Sequence, residues 1–330
     1  MSVEPSRAEF LRARQKGIGG SDIAAICGLS KYQTPYGVWE SKTQPIDFEA
    51  EERKYKESPW LYWGQLLEEL VAKEYAKRMG VKVQRVNAQM QHPDYPFAVA
   101  NIDRAVVNPK IAGTVRWKDY QLTTDRLLEC KTANGFASSL WGEEGTDDVP
   151  ESYLLQTHWY MGITKTERTD IAVLIGGSDW RNYTVHADPE MFASLLERAA
   201  AFWELVEAKV APDPQTVADA MARWPKHVAK KELAATVETA QSVDRYTDLK
   251  DQIKALEKEA EAEKVKICTA FGDSEILTDM GSPIATWKTQ ANNRFDAKAL
   301  KADHPEIHSL YLREGTNRVL RIKEKKEQAE

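Results

Sequence analysis

The spacing of apolar residues switches along the chain between three-to-four-residue steps and two-residue steps, which predicts alternating helices and strands. The predicted helices are residues 7–14, 60–79 and 189–209 and a helix that begins at Pro150. The predicted strands are residues 81–86, 97–103, 127–132, 171–175 and 181–186. The order of these segments predicts an α/β fold of the α+β kind, in which a mixed central β-sheet is flanked by helices.

Two segments between these elements carry different signals. Residues 41–58 are acidic and polar, and they predict a mobile excursion rather than a packed element. Residues 108–126, around Gly113 and Asp119, predict an elaborated hairpin ahead of the core strand at residues 127–132.

The pattern beyond residue 210 is that of a separate C-terminal extension. Two prolines in residues 211–216 indicate a linker, so we predict a first domain at residues 1–210 and an extension of unassigned role at residues 211–330. An apolar seam predicts a coiled-coil helix, paired either in a helix hairpin or with another chain. The seam consists of Tyr246, Leu249, Ile253, Leu256, Ala260, Ile267 and Phe271. The rest is predicted as a β-hairpin at residues 275–289, a helix at 295–302 and a frayed tail at 323–330.

Composition indicates a packed globular protein without an overall basic surface. The 330 residues include ten Trp, twelve Tyr and eight Phe, and the formal net charge is −6. An acidic exterior is compatible with DNA binding if a basic channel lies inside it. The three widely separated cysteines, Cys27, Cys130 and Cys268, suggest neither a disulfide framework nor a zinc site. No apolar run approaches the ~20 residues of a membrane span, so we expect no membrane partner and a reducing, cytoplasmic location.

An acid and a lysine lie two residues apart in the predicted strand at residues 127–132. Because alternate side chains of a strand share a face, Glu129 and Lys131 are expected to project together. Asp103 lies 26 residues earlier at another predicted strand end. Two carboxylates suit Mg²⁺, and a nearby ammonium can orient water or offset phosphate charge. The alternative is a surface Glu and Lys on an edge strand.

Two further segments offer charged or hydrogen-bonding groups. The helix that begins near Trp60 carries Glu68 and Glu69 in its middle, and we expect one of the two to point inward. Glycines precede Ser21 and Asp22, which we predict to cap a helix, and such a turn is suited to bind a phosphate that Arg14 could also reach. The alternative is an ordinary capped helix with a flexible lead-in.

The order of these motifs over residues 10–208 resembles the phage-type alkaline exonucleases, the lambda exonuclease and YqaJ recombinase group of the PD-(D/E)xK nuclease superfamily. The resemblance rests on Gly-Gly-Ser-Asp, Trp-Gly-Gln-Leu-Leu-Glu at residues 63–68, the strand-end Asp, Glu-x-Lys, and Tyr-x-x-Gln. The sequence departs from the family in its long interval between the acids and in the Cys after Glu129. Asp119 and Asp125 therefore remain alternative ligands.

The resemblance assigns a role to each matched residue. It implies that two Mg²⁺ ions, with Mn²⁺ as an alternative, are held by Asp103, Glu129, Glu68 and the carbonyl of Cys130. Lys131 would align or activate the attacking water, and Gln156 would lie near the active site. The spacing of Arg14 and Ser21 resembles that of the family pair that holds a 5′-phosphate.

The implied activity is 5′-to-3′ degradation of one strand of double-stranded DNA for recombination by strand annealing. The resemblance further implies a single-strand annealing partner. It also implies a homo-oligomer, for example a trimeric ring. Two alternatives remain open. One is an endonuclease of the same fold, and the other is a non-catalytic DNA-binding or assembly module.

Overall fold

The structure is a computed structural model, and it describes residues 6–313, 315 and 317–323. The chain divides into two compact units, with the boundary between Arg223 and Trp224. The sequence pattern assigned residues 211–223 to the extension, whereas the structure groups them with the first unit. Thr34 Oγ1 donates a hydrogen bond to Asp219 Oδ1 at 2.9 Å, which ties this segment down.

The first unit contains both helices and strands. Its helices are α1 (Arg7–Gln15), α2 (Gly20–Ile26), α3 (Pro35–Thr43), α4 (Phe48–Lys56), α5 (Pro59–Met79), α6 (Glu151–Thr164), α7 (Pro189–Glu207) and α8 (Val217–Arg223). Its strands are β1 (Val83–Gln84), β2 (Met90–Gln91), β3 (Val99–Ala100), β4 (Arg104–Val106), β5 (Trp117–Lys118), β6 (Gln121–Leu122), β7 (Arg126–Ala133), β8 (Arg168–Ile175) and β9 (Asp179–His186). A short 3₁₀ helix, Gly135–Leu140, follows β7.

A five-stranded sheet with the order β1-β4-β7-β8-β9 forms the centre of this unit. β7 pairs with β8 in parallel, and the other neighbouring strands are antiparallel. The parallel pair is possible because α6 connects the two strands as a crossover. The predicted mixed α/β fold with flanking helices is therefore confirmed.

Side chains of β7 alternate between two cores, one on each face of the sheet. Leu127 belongs to the larger core, together with Trp159 of α6. Leu128 and Cys130 belong to a smaller core against Val71 and Tyr75 of α5. This period-two alternation confirms that Glu129 and Lys131 share the face of β7 opposite to Cys130.

The prediction of a mobile excursion at residues 41–58 is wrong. α3 continues to Thr43, and α4 occupies most of the remaining segment. Asp47 caps α4 by accepting a hydrogen bond from Ala50 N at 2.9 Å. The guanidinium carbon of Arg7 lies 4.3 Å from the ring centroid of Tyr55, so cation–π contacts with α1 help to order a segment that is polar in sequence.

The predicted strands before β7 also need correction. The first is only two residues long, β1, and the predicted strand at residues 97–103 contains only the two-residue strand β3. β3 pairs with β2 outside the central sheet, whereas β4, which begins at Arg104, joins that sheet as a separate strand. Asp103 therefore lies just before β4 rather than at the end of a strand. The hairpin within residues 108–126 is confirmed as β5 and β6.

The predicted cap is confirmed for Asp22 but not for Ser21. Gly19 is the N-cap residue of α2, and Asp22, at the third helical position, caps the turn by accepting a hydrogen bond from Gly19 N at 3.1 Å. Asp22 is 1% exposed, and its carboxylate lies 2.7 Å from Lys42 Nζ and 3.1 Å from Arg14 Nη2. Burial raises the pKa of Asp22, but Lys42 and Arg14 outweigh that effect, so the pKa lies below its usual value.

The second unit consists of α9 (Val237–Phe271), the hairpin β10 (Ile276–Asp279) and β11 (Ser282–Thr286), α10 (Ala297–Asp303) and α11 (Pro305–Tyr311). The predicted β-hairpin is confirmed. The segment with the apolar seam forms one continuous helix, α9, rather than a helix hairpin, and its pairing with another chain stays a prediction. Its seam is largely exposed, with Leu256 63% exposed. The predicted tail lies outside the described residues except for residue 323. Among described residues, no helix is sufficiently long and apolar for a membrane span.

Replacing Asp22 with Asn should destabilise the first unit by about 3–5 kcal/mol, because the buried ammonium of Lys42 loses its charged partner. Since the pKa of Asp22 is lowered on folding, its stabilising effect is present above the unfolded pKa of about 3.9. The advantage of the wild type should therefore shrink as the pH falls through the folded-state pKa. Urea unfolding at several pH values measures this difference. Asp119→Asn, which removes an exposed ion pair with Lys118, should change stability by less than about 1 kcal/mol.

Candidate active site

Glu129 and Lys131 meet Gln156 on the face of the sheet that α6 covers. Glu129 is 3% exposed, and its Oε1 accepts hydrogen bonds from Lys131 Nζ and Gln156 Nε2, each at 2.6 Å. The Oε1 atom of Gln156 lies 3.3 Å from Lys131 Nζ. The amide of Gln156 therefore donates to the acid and accepts from the lysine, which fixes the carboxylate and the ammonium relative to each other.

Asp103 is held beside Glu129 by the backbone of β7. Its Oδ2 accepts a hydrogen bond from Cys130 N at 2.9 Å. The alternative acids lie elsewhere: Asp119 is in the turn between β5 and β6, and Asp125 accepts from Asn108 Nδ2 at 3.0 Å. The structure thus brings Asp103 to the segment that carries Glu129 and Lys131.

Burial and like charge act together on this cluster. Burial raises the pKa of Asp103 well above its usual value, and Glu129 and Glu68 raise it further, against the opposing effect of Lys131. Burial lowers the pKa of Lys131, but the negative charges of Glu129 and Asp103 outweigh it, so the net direction is upward. Burial also raises the pKa of the Cys130 thiol, which leaves its backbone carbonyl as the group suited to a metal.

Glu68 and Glu69 both contact Arg104, so their environment is one of ion pairs. Arg104 is 3% exposed and donates to Glu68 Oε1 and Glu69 Oε2, each at 2.6 Å. Arg85 Nη2 lies 3.4 Å from Glu68 Oε1. Glu68 is the more buried of the two side chains, at 22% exposed against 52%. It is close enough to Asp103 to raise the pKa of that residue, but its carboxylate is bound to arginine.

The two residues predicted to hold a phosphate are in contact. Arg14 Nη2 donates to Ser21 Oγ at 2.8 Å and also to Asp22 at 3.1 Å. Lys42 Nζ donates to the backbone carbonyl of Arg14 at 2.8 Å. Lys42 therefore holds the backbone of Arg14, and Asp22 holds one side of its guanidinium. The guanidinium is partly exposed, so it can still bind an anion.

Gly20 connects this charged turn to the acid–lysine cluster. A Cβ at Gly20 would lie 2.7 Å from Gln156 Cγ and 2.7 Å from the ring of Tyr160, closer than side chains approach. Tyr160 in turn accepts a hydrogen bond from Gln156 Nε2 at 3.3 Å. The absence of a side chain at residue 20 lets α2 pack directly on the face of α6 that holds Glu129.

The residue set fits a hard divalent cation in its donor chemistry. Mg²⁺ is usually held by one or two carboxylates together with water or phosphate oxygens, and Asp103, Glu129 and the Cys130 carbonyl offer oxygen ligands. A cation there would offset the repulsion that raises the pKa of Asp103. In the described part of the chain, no three His, Cys, Asp or Glu side chains form a ready metal cluster. Glu68 fits less directly because Arg104 binds it.

The sequence did not single out Arg104, Lys42 or Tyr160 as members of these clusters. Arg104 follows Asp103 directly and precedes the apolar run Ala105-Val106-Val107, which is a usable sequence signal for a paired charge. Tyr160 lies four residues after Gln156 and so projects from the same helix face. Lys42 gave no signal, since a lysine near a helix end is normally solvated.

Fold and site together define a mixed α/β protein with a carboxylate–lysine centre on the middle strand of its sheet. A family profile described as the YqaJ-like viral recombinase domain matches residues 9–167. The uncharacterized protein YqaJ of Bacillus subtilis (strain 168) is 32% identical over 328 residues, covering 97% of this chain and 95% of that protein. The chain belongs to the YqaJ-like viral recombinase family, which confirms the resemblance seen in the motifs.

Two solved structures with weaker similarity each cover 61% of the chain. An alkaline exonuclease from Laribacter hongkongensis is 17% identical, covering 61% of this chain and 93% of that chain, with a TM-score of 0.44. A phage related exonuclease from Haemophilus somnus 129PT is 12% identical, covering 61% and 98%, with a TM-score of 0.39. Because both scores lie below 0.5, the family assignment rests on the sequence matches.

Asp103→Asn should stabilise the metal-free protein by about 0.5–2 kcal/mol at pH 8, because it removes a charge that burial and Glu129 disfavour. The raised pKa means that the folded state binds this proton more tightly than the unfolded state. Ionised Asp103 therefore costs stability as the pH rises above about 4. Urea unfolding in EDTA should show a larger gain at pH 8 than at pH 4. Glu129→Gln should instead destabilise the protein, because it deprives Lys131 of its ion-pair partner.

Gly20→Ala should destabilise the first unit by about 1–3 kcal/mol through overpacking against Gln156 and Tyr160. Gly64→Ala is the matched control, since its new Cβ would meet only Thr132 Oγ1 at 4.0 Å. Within α5 that change should be neutral or stabilise by up to about 1 kcal/mol. Equal effects of the two substitutions in thermal unfolding would contradict the close packing of α2 on α6.

Proposed function

We propose that this protein is a metal-dependent 5′-to-3′ exonuclease that degrades one strand of linear double-stranded DNA and leaves 3′ single-stranded tails. The observation that carries the proposal is the convergence of Asp103, Glu129 and Lys131 on β7, with Gln156 bridging the last two. Acids and a lysine in this arrangement suit phosphodiester hydrolysis, because they can bind a divalent cation and orient a nucleophilic water. Membership of a viral recombinase family supports DNA as the substrate.

The residues divide the chemistry between them. Asp103 and Glu129, with the carbonyl of Cys130, would hold the cation, and Glu68 would support them from its contact with Arg104. When bound, Mg²⁺ or Mn²⁺ supplies charge neutralisation on the scissile phosphate and lowers the pKa of a bound water. Lys131 donates hydrogen bonds to the water or to a phosphate oxygen, and Gln156 keeps that ammonium in place.

Arg14 and Ser21 are proposed to bind the terminal 5′-phosphate. Their contact at 2.8 Å and the partial exposure of the Arg14 head support this role. The packing of Gly20 on Gln156 keeps the turn close to the acids. An enzyme that holds the phosphorylated end beside its cleavage site would remove nucleotides from that end.

The remaining proposals concern partners. Exposed single strands left by such an enzyme would be bound by a single-strand annealing protein. A homo-oligomer, such as a trimeric ring around DNA, would reconcile a net charge of −6 with a basic interior. The exposed seam of α9 is compatible with a helix from another chain.

Digestion of a linear duplex in Mg²⁺ tests the activity and its polarity together. We expect progressive loss of the strand with a 5′-phosphate, slower loss of a strand with a 5′-hydroxyl, an intact closed circle, and no reaction in EDTA. Cutting of the circle would replace the exonuclease proposal with an endonuclease. Binding without any metal-dependent cleavage would leave a DNA-binding or assembly module.

Two substitutions assign the roles within that assay. Lys131→Ala should abolish cleavage while DNA binding stays within a few fold, because the lysine acts on water or phosphate rather than on the duplex. Ser21→Ala should reduce the preference for a 5′-phosphate, since it removes a hydroxyl beside the Arg14 head. Unaltered cleavage by Lys131→Ala would remove the central assignment. An unchanged 5′-phosphate preference in Ser21→Ala would remove only the phosphate pocket.

A further inference from the structure

The ring of Tyr153 lies beside the ammonium of Lys131. Lys131 Nζ is 4.7 Å from the centroid of that ring, within the range of a cation–π contact. Tyr153 precedes Gln156 by three residues on α6, so both side chains project from one helix face. The ammonium thus meets three groups: the carboxylate of Glu129, the amide oxygen of Gln156 and the face of Tyr153.

The Lys131 ammonium and a divalent cation would compete for the negative charge of Glu129. Glu129 is the shortest contact of Lys131, at 2.6 Å, and it is also a candidate ligand for a divalent cation. A carboxylate that binds a cation attracts a neighbouring ammonium less strongly, since its charge is offset. The face of an aromatic ring is not a ligand for a hard cation, so the contact with Tyr153 is independent of that competition.

The ring of Tyr153 is itself held in place by other aromatic rings. Trp141 stacks on it with a centroid distance of 5.5 Å and an interplanar angle of 30°. Trp141 is 5% exposed, and its ring centroid also lies 5.3 Å from that of Tyr183. The hydroxyl of Tyr183 donates to the carbonyl of Gly142 at 2.9 Å, which fixes this aromatic column to the backbone.

We propose that Tyr153 is a positioning residue that holds the Lys131 ammonium over the scissile phosphate through its ring face. This role rests on the proposed nuclease function. The ring, rather than the hydroxyl, is the group that acts, because the contact is to the ring centroid. Tyr153→Phe should therefore preserve the effect, and Tyr153→Leu should remove it while still filling the space with an apolar side chain.

The first test measures the contact without any reaction. In the full-length, metal-free protein labelled with ¹³C-lysine, ring currents should shift the ε-CH₂ protons of Lys131 upfield, and Lys131→Arg identifies that signal by its loss. The upfield shift should persist in Tyr153→Phe and disappear in Tyr153→Leu. A signal that does not move in Tyr153→Leu would overturn the proposal.

The second test separates positioning from a merely structural role. Tyr153→Leu should lower kcat on linear duplex DNA by roughly 2- to 30-fold, the range equivalent to one cation–π contact. KM for DNA should stay within about twofold of wild type, and Tyr153→Phe should restore kcat. A loss that Phe does not rescue, or a change confined to KM, contradicts the role. A wild type that shows the upfield signal but cleaves no DNA would refute the nuclease proposal while upholding the contact.

Discussion

The site depends on the placement of two acids, Asp103 and Glu129, together at the edge of the core. Carboxylates that are removed from water and set beside each other repel, and Asp103 shows this in its raised pKa. Glu129 is stabilised by Lys131 and Gln156, each at 2.6 Å from its Oε1. The fold therefore has to bring α6 against β7, because without Gln156 the acid would lose one of its two closest partners. The long parallel pairing of β7 with β8 is what gives α6 its position.

A second cluster of buried charges stabilises the N-terminal turn that packs beside the two acids. Asp22, Lys42 and Arg14 form a set in which the acid is 1% exposed and the lysine 8% exposed. Such sets are sensitive to the removal of one member, because a charge left alone in the interior is costly. Gly20 joins the two clusters by its contact with Gln156 and Tyr160. The geometry between the proposed phosphate residues and the acids is thus set by helix packing, not by a flexible loop.

Local periodicity accounts for what the sequence could predict. The strand at β7 and the shared face of Glu129 and Lys131 follow from alternation within eight residues, and α6 follows from apolar spacing. The errors fall where distant contacts decide the structure. α4 is polar in sequence and is ordered partly by arginines from α1. Residues 97–103 contain only the short strand β3, and the neighbouring Ala98 forms a bridge with Ile18, a contact that no local pattern encodes. Arg104 and Lys42 gain their roles only from carboxylates 36 and 20 residues away.

The charge of Lys131 limits what this residue can do in catalysis. Burial favours the neutral amine, but Glu129 and Asp103 favour the cation more strongly, so the pKa is raised and the side chain is an ammonium at neutral pH. An ammonium has three donors and no lone pair, so it cannot remove a proton from water. Its action in this state is therefore to donate hydrogen bonds and offset negative charge. In the proposed nuclease, the attacking water would therefore give its proton to a carboxylate or to another water, and a bound cation would lower the pKa of that attacking water. Under the proposed function, the three contacts of Lys131 would set the direction in which its ammonium donates hydrogen bonds.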